Sequence, residues 1–285
     1  MIDISHISFK YAGQKEPVFS DFSLQLTENR IYGLLGKNGT GKSTLLYLIS
    51  GLLRPAAGNV CCGTVTTNTP QATTSTTRHE ASARHAEMLQ EMFLVPEEFE
   101  LPPMTLDRYV RLNAPFYPRF SREVMDRCLT DFELDTRLDL SALSMGQKKK
   151  VFMSFALAAG TRYLLMDEPT NGLDIPSKSQ FRRVVAQNMS DERTILISTH
   201  QVHDVEALLD HILILSQRAL LLNAPVADLT ARYTFSYRPV DDGSAAVYSE
   251  PALQGRAVMT ERREGDAETQ LNLELLFNAV TKGQL

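Results

Sequence analysis

Eight residues, Gly36-Lys37-Asn38-Gly39-Thr40-Gly41-Lys42-Ser43, constrain the fold of this chain more than any others. They follow the pattern G-x-x-x-x-G-K-[S/T], which belongs to a tight backbone curl between a strand and a helix. Glycines let successive N–H groups turn toward one point, and the following helix adds its positive end. The product is a cradle for phosphate oxygens. Lys42 sets a charge where β and γ phosphates would lie, and Ser43 offers a hydroxyl to magnesium. The flanks agree: residues 31–35 are a short apolar run, and Leu45, Leu46, Leu48, Ile49 and Leu52 recur at helical spacing. From average residue usage, a chance match in a chain of 285 residues has a probability on the order of one per cent.

That length allows one large domain, or a domain with appendages, around a substantial core. A hydrophobic share of 43% and a charged share of 22% are ordinary for a globular protein. The formal charge of -5 argues against an extended nucleic-acid surface and leaves room only for a local basic patch. No apolar run approaches the roughly 18 residues of a membrane span. The first residues alternate instead of forming a basic stretch and an apolar core, so no signal peptide is expected. Cys61, Cys62 and Cys128 are odd in number and lack metal-ligand spacing, which points to reduced structural thiols in a cytosolic protein.

Along the chain, Ile2, Ile4, Ile7 and Phe9 mark a half-buried strand, and residues 22–26 alternate as a second. Residues 64–77 are crowded with threonine around Pro70, and their polarity predicts an exposed or mobile loop. Residues 104–142 read as mostly helical, with Leu106, Tyr109, Val110, Val124, Met125, Cys128 and Leu129 facing a core. A helical pattern after Ser144 carries Val151, Phe152, Phe155, Ala156 and Leu157. Strands at 163–166 and 194–198 enclose a helix around 177–188, and 211–215 and 219–222 resemble a strand pair. Beyond Tyr233 the composition changes. A turn is expected at 241–244, small strands at 245–248 and 256–259, and a last helix capped by Asn272 with Leu271 and Leu276 as its hydrophobic staple. This order predicts an α/β fold with a mainly parallel core and added elements.

Leu164-Leu165-Met166-Asp167 is an apolar strand ending in the carboxylate that a magnesium-positioning aspartate requires, and Glu168 follows at once, placed to polarise an attacking water. Alone, such a string is an ordinary strand end; after the phosphate loop, in this order and spacing, it reads as chemistry. With Leu143-Ser144-Met145-Gly146-Gln147 and Ser198-Thr199-His200, the resemblance becomes specific. From about Ile2 to Tyr233 the chain resembles the ATP-binding subunit of an ABC transporter. Residues 143–147 are similar to the family signature, with Met145 in place of the commoner glycine. Asp167-Glu168-Pro169-Thr170-Asn171-Gly172-Leu173-Asp174 resembles the joined magnesium, base and D-loop sequence.

The resemblance implies a P-loop ATPase core with a mainly parallel sheet, an antiparallel β subdomain and a helical arm. The ATPase domain is expected at 1–233 with the arm at about 99–157, and a C-terminal extension at 234–285. It implies ATP and Mg2+ as cofactors. Nucleotide contacts are expected from Tyr11 (stacking on adenine), Gly36, Asn38, Gly39, Thr40, Gly41, Lys42, Ser43 and Thr44. Catalysis falls to Glu168 as general base, His200 as the switch histidine and Lys42; magnesium falls to Ser43, Asp167 and Glu97. Two ATPase subunits, alike or different, would face each other head to tail. Ser144, Gly146 and Gln147 would then reach the partner's nucleotide, while Asp174 communicates across the pair. A separate transmembrane permease would hold the subunit on the inner face of the cell membrane, its cytoplasmic helix received by the arm around 99–142.

One position departs from the family. Val95-Pro96-Glu97-Glu98 carries Glu97 where a glutamine is usual, which adds negative charge beside the γ-phosphate; the resemblance of such Pro-Glu pairs to those of drug, polyketide or lipid exporters tilts the expectation toward export. Lys148, Lys149 and Lys150 read as a solvated helix face, His79 and His85 lack ligand spacing, and His203 and His211 read as packing or surface residues. A soluble ABC-type ATPase acting on DNA or ribosomes is the competing reading, but the chain has neither a heptad insertion nor a second phosphate loop. A small-molecule kinase would leave the signature and Glu168 unexplained. No nucleic-acid partner is expected.

Overall fold

The computed structural model describes residues 1–68, 73–216, 219–239, 246–253 and 255–285. The chain opens with strands β1 (Ile2–Phe9), β2 (Phe19–Leu26) and β3 (Arg30–Leu35), then helix α1 (Lys42–Ile49). A hairpin of β4 (Ala57–Asn68) and β5 (Thr73–Glu80), the short α2 (Ala86–Gln90) and β6 (Met92–Val95) follow. The arm holds α3 (Leu106–Asn113), α4 (Arg122–Asp131) and α5 (Met145–Ala158). The core resumes with β7 (Tyr163–Asp167), α6 (Ile175–Gln187), β8 (Thr194–Thr199), β9 (His211–Ser216) and β10 (Ala219–Pro225). The chain continues with α7 (Val226–Arg232), β11 (Tyr233–Arg238), β12 (Tyr248–Ala252), β13 (Gly255–Glu261) and α8 (Leu273–Thr281).

The central sheet runs β10-β9-β3-β8-β7-β6. All its pairings are parallel except that of β9 with the edge strand β10. Parallel strands covered on both faces read as continuous apolar runs, which is why 163–166 and 194–198 are legible as strands. Alternate side chains divide between two cores. Leu34, Leu165, Leu196 and Leu213 point to the side filled by α1 and the antiparallel sheet β2-β1-β4-β5. Leu35, Leu164, Met166, Ile195, Ile197 and Ile212 point to the side filled by the arm, α6 and the C-terminal elements.

Register decides where the motifs meet. Leu35 pairs with Thr199 and Asp167 with Ser198, while Val95 pairs with Met166. The residues that follow β3, β6, β7 and β8 therefore emerge at one sheet edge, the carboxyl ends of parallel strands, where α/β folds bind ligands.

In the arm, Ser121 caps α4 by accepting from Val124 N, and Thr105 caps α3 by accepting from Arg108 N. Met125, Cys128 and Leu129 are buried as expected, whereas Val124 is only partly so. Aromatic packing ties the arm to the sheet: Phe155 lies against Phe93, Tyr109 and Phe120. The three cysteines are free thiols, and burial pushes Cys62 up to about 12 and Cys128 to about 11.

The threonine-rich segment is not the loop its polarity suggests. Its described residues form the β4–β5 hairpin, with Thr64 opposite Thr77, Thr66 opposite Ser75 and Thr67 opposite Thr74. Threonine is β-branched, and that branching favours extended backbone more than the hydroxyl opposes it. Thr69 and Pro70 lie outside the described residues, as does the expected turn at 241–244. The small strand expected at 245–248 starts instead at Tyr248, and pairs Tyr248 with Met259.

The last helix forms as expected, with Asn272 Oδ1 accepting from Leu275 N at 2.9 Å. The sheet β11-β13-β12 and α8 share the arm-side core, through Phe235, Met259, Leu273 and Leu276. They are also tied to the segment just after β8. His203 Nε2 lies 2.7 Å from Glu274 Oε2, and Leu273 N donates to Glu206 Oε1 at 2.7 Å. No described helix is long and apolar enough to cross a membrane.

Candidate active site

The glycines of the 36–43 loop have separate physical reasons. Gly41 has φ +100 and Gly39 φ +80, in the left-handed region that a side chain disfavours. A Cβ on Gly36 would stand 2.7 Å from the Leu215 carbonyl oxygen and 2.6 Å from Thr40 Oγ1. Thr40 closes the curl from behind, its hydroxyl donating to Lys37 O at 2.9 Å. Lys42 begins α1 and turns back under the loop, donating to Gly36 O at 2.8 Å and Lys37 O at 3.3 Å.

In front of the loop lies a cavity of about 660 Å³, of the size that holds a small-molecule ligand. Asn38, Gly39, Gly41, Lys42, Ser43 and Thr44 form its floor. Tyr11, Glu97 and Glu168 stand around it. The Tyr11 hydroxyl lies 3.0 Å from Thr44 Oγ1, and its ring meets Phe9 edge-on. A further wall, Gln14 to Val18, carries no motif and is not signalled by the sequence.

The strand-end residues meet here. Lys42 Nζ is 3.6 Å from Glu168 Oε1, and His200 Nδ1 is 2.9 Å from the same oxygen. The His200 N–H also donates to Glu168 Oε2 at 3.3 Å. Asp167 accepts from the Ser198 hydroxyl. Burial pushes the Asp167 carboxyl up, opposed by its hydrogen bonds from Ser198 and Ser43. Burial pulls the Lys42 ammonium down, opposed by Glu168 and Asp167. Lys42 and Glu168 are both nearly enclosed, so each charge depends on the other.

Glu168 has φ +44, a conformation that costs a non-glycine residue about 1–3 kcal/mol unless its surroundings enforce it. Several bonds do. Glu168 N donates to Ser198 O at 3.0 Å, and its own carbonyl accepts from Asn171 N at 3.1 Å. Lys149 Nζ donates to that same carbonyl at 3.0 Å. The expectation that residues 148–150 form a solvated face thus fails for Lys149, which is 5% exposed. It fails in part for Lys150, which bonds Gln180 Oε1 at 2.9 Å. Nothing in a run of three lysines reveals which one points inward.

The signature lies elsewhere. Ser144 caps α5, its hydroxyl accepting from Gln147 N while Gln147 Oε1 accepts from Ser144 N. Ser144, Met145 and Gln147 are exposed, and neither they nor Gly146 line the cavity that the phosphate loop lines. A second hollow touches the signature at Met145 and Gly146 and shares Glu97 with the first cavity; Lys149, Asn171 and Gly172 also border it. Across it Asn171 Nδ2 donates to Glu97 Oε1 at 2.7 Å. Asp174 caps α6 by accepting from Ser177 N at 3.0 Å.

Comparison with known proteins accords with this geometry. The ABC transporter family model matches residues 19–171, and the chain belongs to that family. The cobalt import ATP-binding protein CbiO of Salmonella paratyphi A is 29% identical over 233 residues, covering 81% of this chain and 83% of the relative. A putative ABC transporter ATP-binding protein of Thermosynechococcus vestitus is 31% identical over 221 residues, 75% of this chain and 74% of that one. Among solved structures, the dimeric bacterial ABC transporter cassette MJ0796 superposes with a TM-score of 0.64 at 22% identity, covering 79% of this chain and 98% of that one. That likeness is one of fold. The chain is an ABC-type ATPase, an ATP-binding subunit that powers transport.

Gly36→Ala should lower ATP affinity by about tenfold or more, a loss of roughly 1.4 kcal/mol, because the Leu215 carbonyl is backbone and cannot yield easily. A nucleotide-binding isotherm checks it, with far-UV circular dichroism showing the fold retained.

Proposed function

We propose that this chain acts as one half of a pair of ATPase subunits that close head to tail around ATP, held on the inner face of the cell membrane by a separate permease. The observation that carries this reading is the exposure of Ser144 and Gln147, outside the cavity of their own phosphate loop. A capped helix start presents unpaired N–H groups and a positive end, suited to a phosphate that comes from another molecule. The dimeric state of the similar cassette supports the pairing. Residues 1–233 form the ATPase unit in this reading, with the arm at about 99–157 and an extension at 234–285.

Within the cavity, the loop N–H groups and Lys42 hold the β and γ phosphates, and Tyr11 lies beside the base. Glu168 takes a proton from the attacking water, oriented by His200 through the 2.9 Å contact. Ser43, Asp167 and Glu97 would hold magnesium through hard oxygens, and a cation beside Asp167 would offset the desolvation that pushes its carboxyl up. Magnesium bound there would neutralise phosphate charge. A groove of about 360 Å³ between core and arm, lined by Leu52, Leu89, Leu94, Phe116 and Tyr117, suits a permease helix. Leu52 and Phe116 are 56% and 66% exposed, an apolar surface with a use.

For direction, the Pro96-Glu97 pair supports export. The likeness to a cobalt import ATP-binding protein supports import as the second reading. ATP-driven substrate movement in inside-out membrane vesicles separates them: export predicts accumulation in the vesicle lumen, and depletion of a preloaded lumen would establish import.

Glu168→Gln should keep ATP binding, cut hydrolysis by about 10²–10⁴-fold and trap closed pairs. Turnover and sedimentation in ATP measure both, and near-normal turnover removes Glu168 from the role.

A further inference from the structure

We propose that Lys149 is a positioning residue for ATP hydrolysis, its buried ammonium fixing the turn that carries Glu168 and supplying the positive charge that offsets Glu97. The proposal rests on Glu168 being the general base.

Lys149 leaves α5 three residues after Gly146 and points into the protein, where it is 5% exposed. Its Nζ donates to the Glu168 carbonyl at 3.0 Å and to the Asn171 carbonyl at 2.9 Å. Those carbonyls stand at the two ends of one tight turn, so a single ammonium closes it. Glu168 holds a left-handed conformation, φ +44, and needs such anchors. If the turn relaxes, the Glu168 carboxylate moves relative to His200 and Lys42, and misplacement of about 1 Å can cost about 10²-fold in rate.

The charge has its own reason. A buried ammonium requires compensating partners, and the two carbonyl oxygens that Lys149 bonds supply no opposite charge. Burial disfavours its protonated form; Glu97 is the strongest of the charges that restore it, ahead of Glu168 and Asp167. Asn171 completes the link, with its carbonyl on Lys149 and its side-chain amide on Glu97. The unusual Glu97 and the inward lysine therefore form one compensated unit. Because Lys149 is on the helix that begins at the signature, a phosphate bound at Ser144 by a pair partner would act on this chain's own Glu168 through it.

The test is steady-state ATPase kinetics on the full chain with Lys149→Met, Lys149→Gln, Glu97→Gln, the double variant Glu97→Gln/Lys149→Gln, and Glu168→Gln alongside. Lys149→Met should lower kcat by about tenfold or more with the KM for ATP within about twofold. Lys149→Gln, which keeps a donor but no charge, should also be slow, and adding Glu97→Gln, which removes the carboxylate charge but keeps a side-chain oxygen for magnesium, should restore much of its kcat. Normal kcat in Lys149→Met overturns the proposal. So does a parallel loss of kcat and ATP affinity, or a double variant no faster than Lys149→Gln. Should Lys149→Met fail to fold, the glutamine pair decides by the same criterion. Glu168→Gln separates the two readings: normal turnover there removes the base assignment itself, whereas its loss beside a fully active Lys149→Met removes only the role of Lys149.

Discussion

The parallel register of β3, β8 and β7 is the constraint on which the rest of the site depends. Leu35 opposite Thr199, and Asp167 opposite Ser198, bring the phosphate loop, the carboxylates and His200 to one edge. A slip of one residue would turn every side chain to the other face, exchanging the two cores that cover this sheet. The burial of Leu34 and Leu165 on one side, and of Leu35 and Met166 on the other, thus enforces the register that the chemistry requires.

Once the strand ends converge, the electrostatics follow. Lys42 and Glu168 are enclosed together, and each is tolerable because the other is present. Glu168 gains a second partner in His200 and a backbone anchor in Lys149. The same turn, 168–171, reaches Glu97 through Asn171. The helix that begins at Ser144 is thereby connected to Glu168, although its exposed start lies outside the cavity that Glu168 lines. Such a link suits the proposed pairing of two subunits around ATP.

Much of this was legible because the signals are local. A glycine loop between an apolar run and a helical pattern, and apolar strands ending at Asp167 or just before His200, place their elements by periodicity alone. The central strands and last helix therefore fall where expected. The threonine-rich hairpin was not legible, since polarity reads as loop while β-branching favours strand, and the pairing of β4 with β5, continuing a strand that β1 holds at residues 57–62, settles the matter. Lys149 was not legible for a different reason: which of three consecutive lysines faces inward depends on how α5 docks against the 168–171 turn, a tertiary fact. The wall from Gln14 to Val18 has no motif at all, because a cavity wall needs only shape.

If the signature serves a nucleotide other than its own, Ser144→Arg separates the two sites. The variant is measured twice, for ATP affinity as the isolated chain and for hydrolysis in the assembled transporter. Affinity in the isolated chain should be unchanged, since Ser144 does not line that cavity, while hydrolysis in the assembly falls by about tenfold or more, as when a transition-state phosphate contact is lost. A matching loss of ATP affinity in the isolated chain would contradict a signature that serves the partner's nucleotide, and so would full hydrolysis in the assembly.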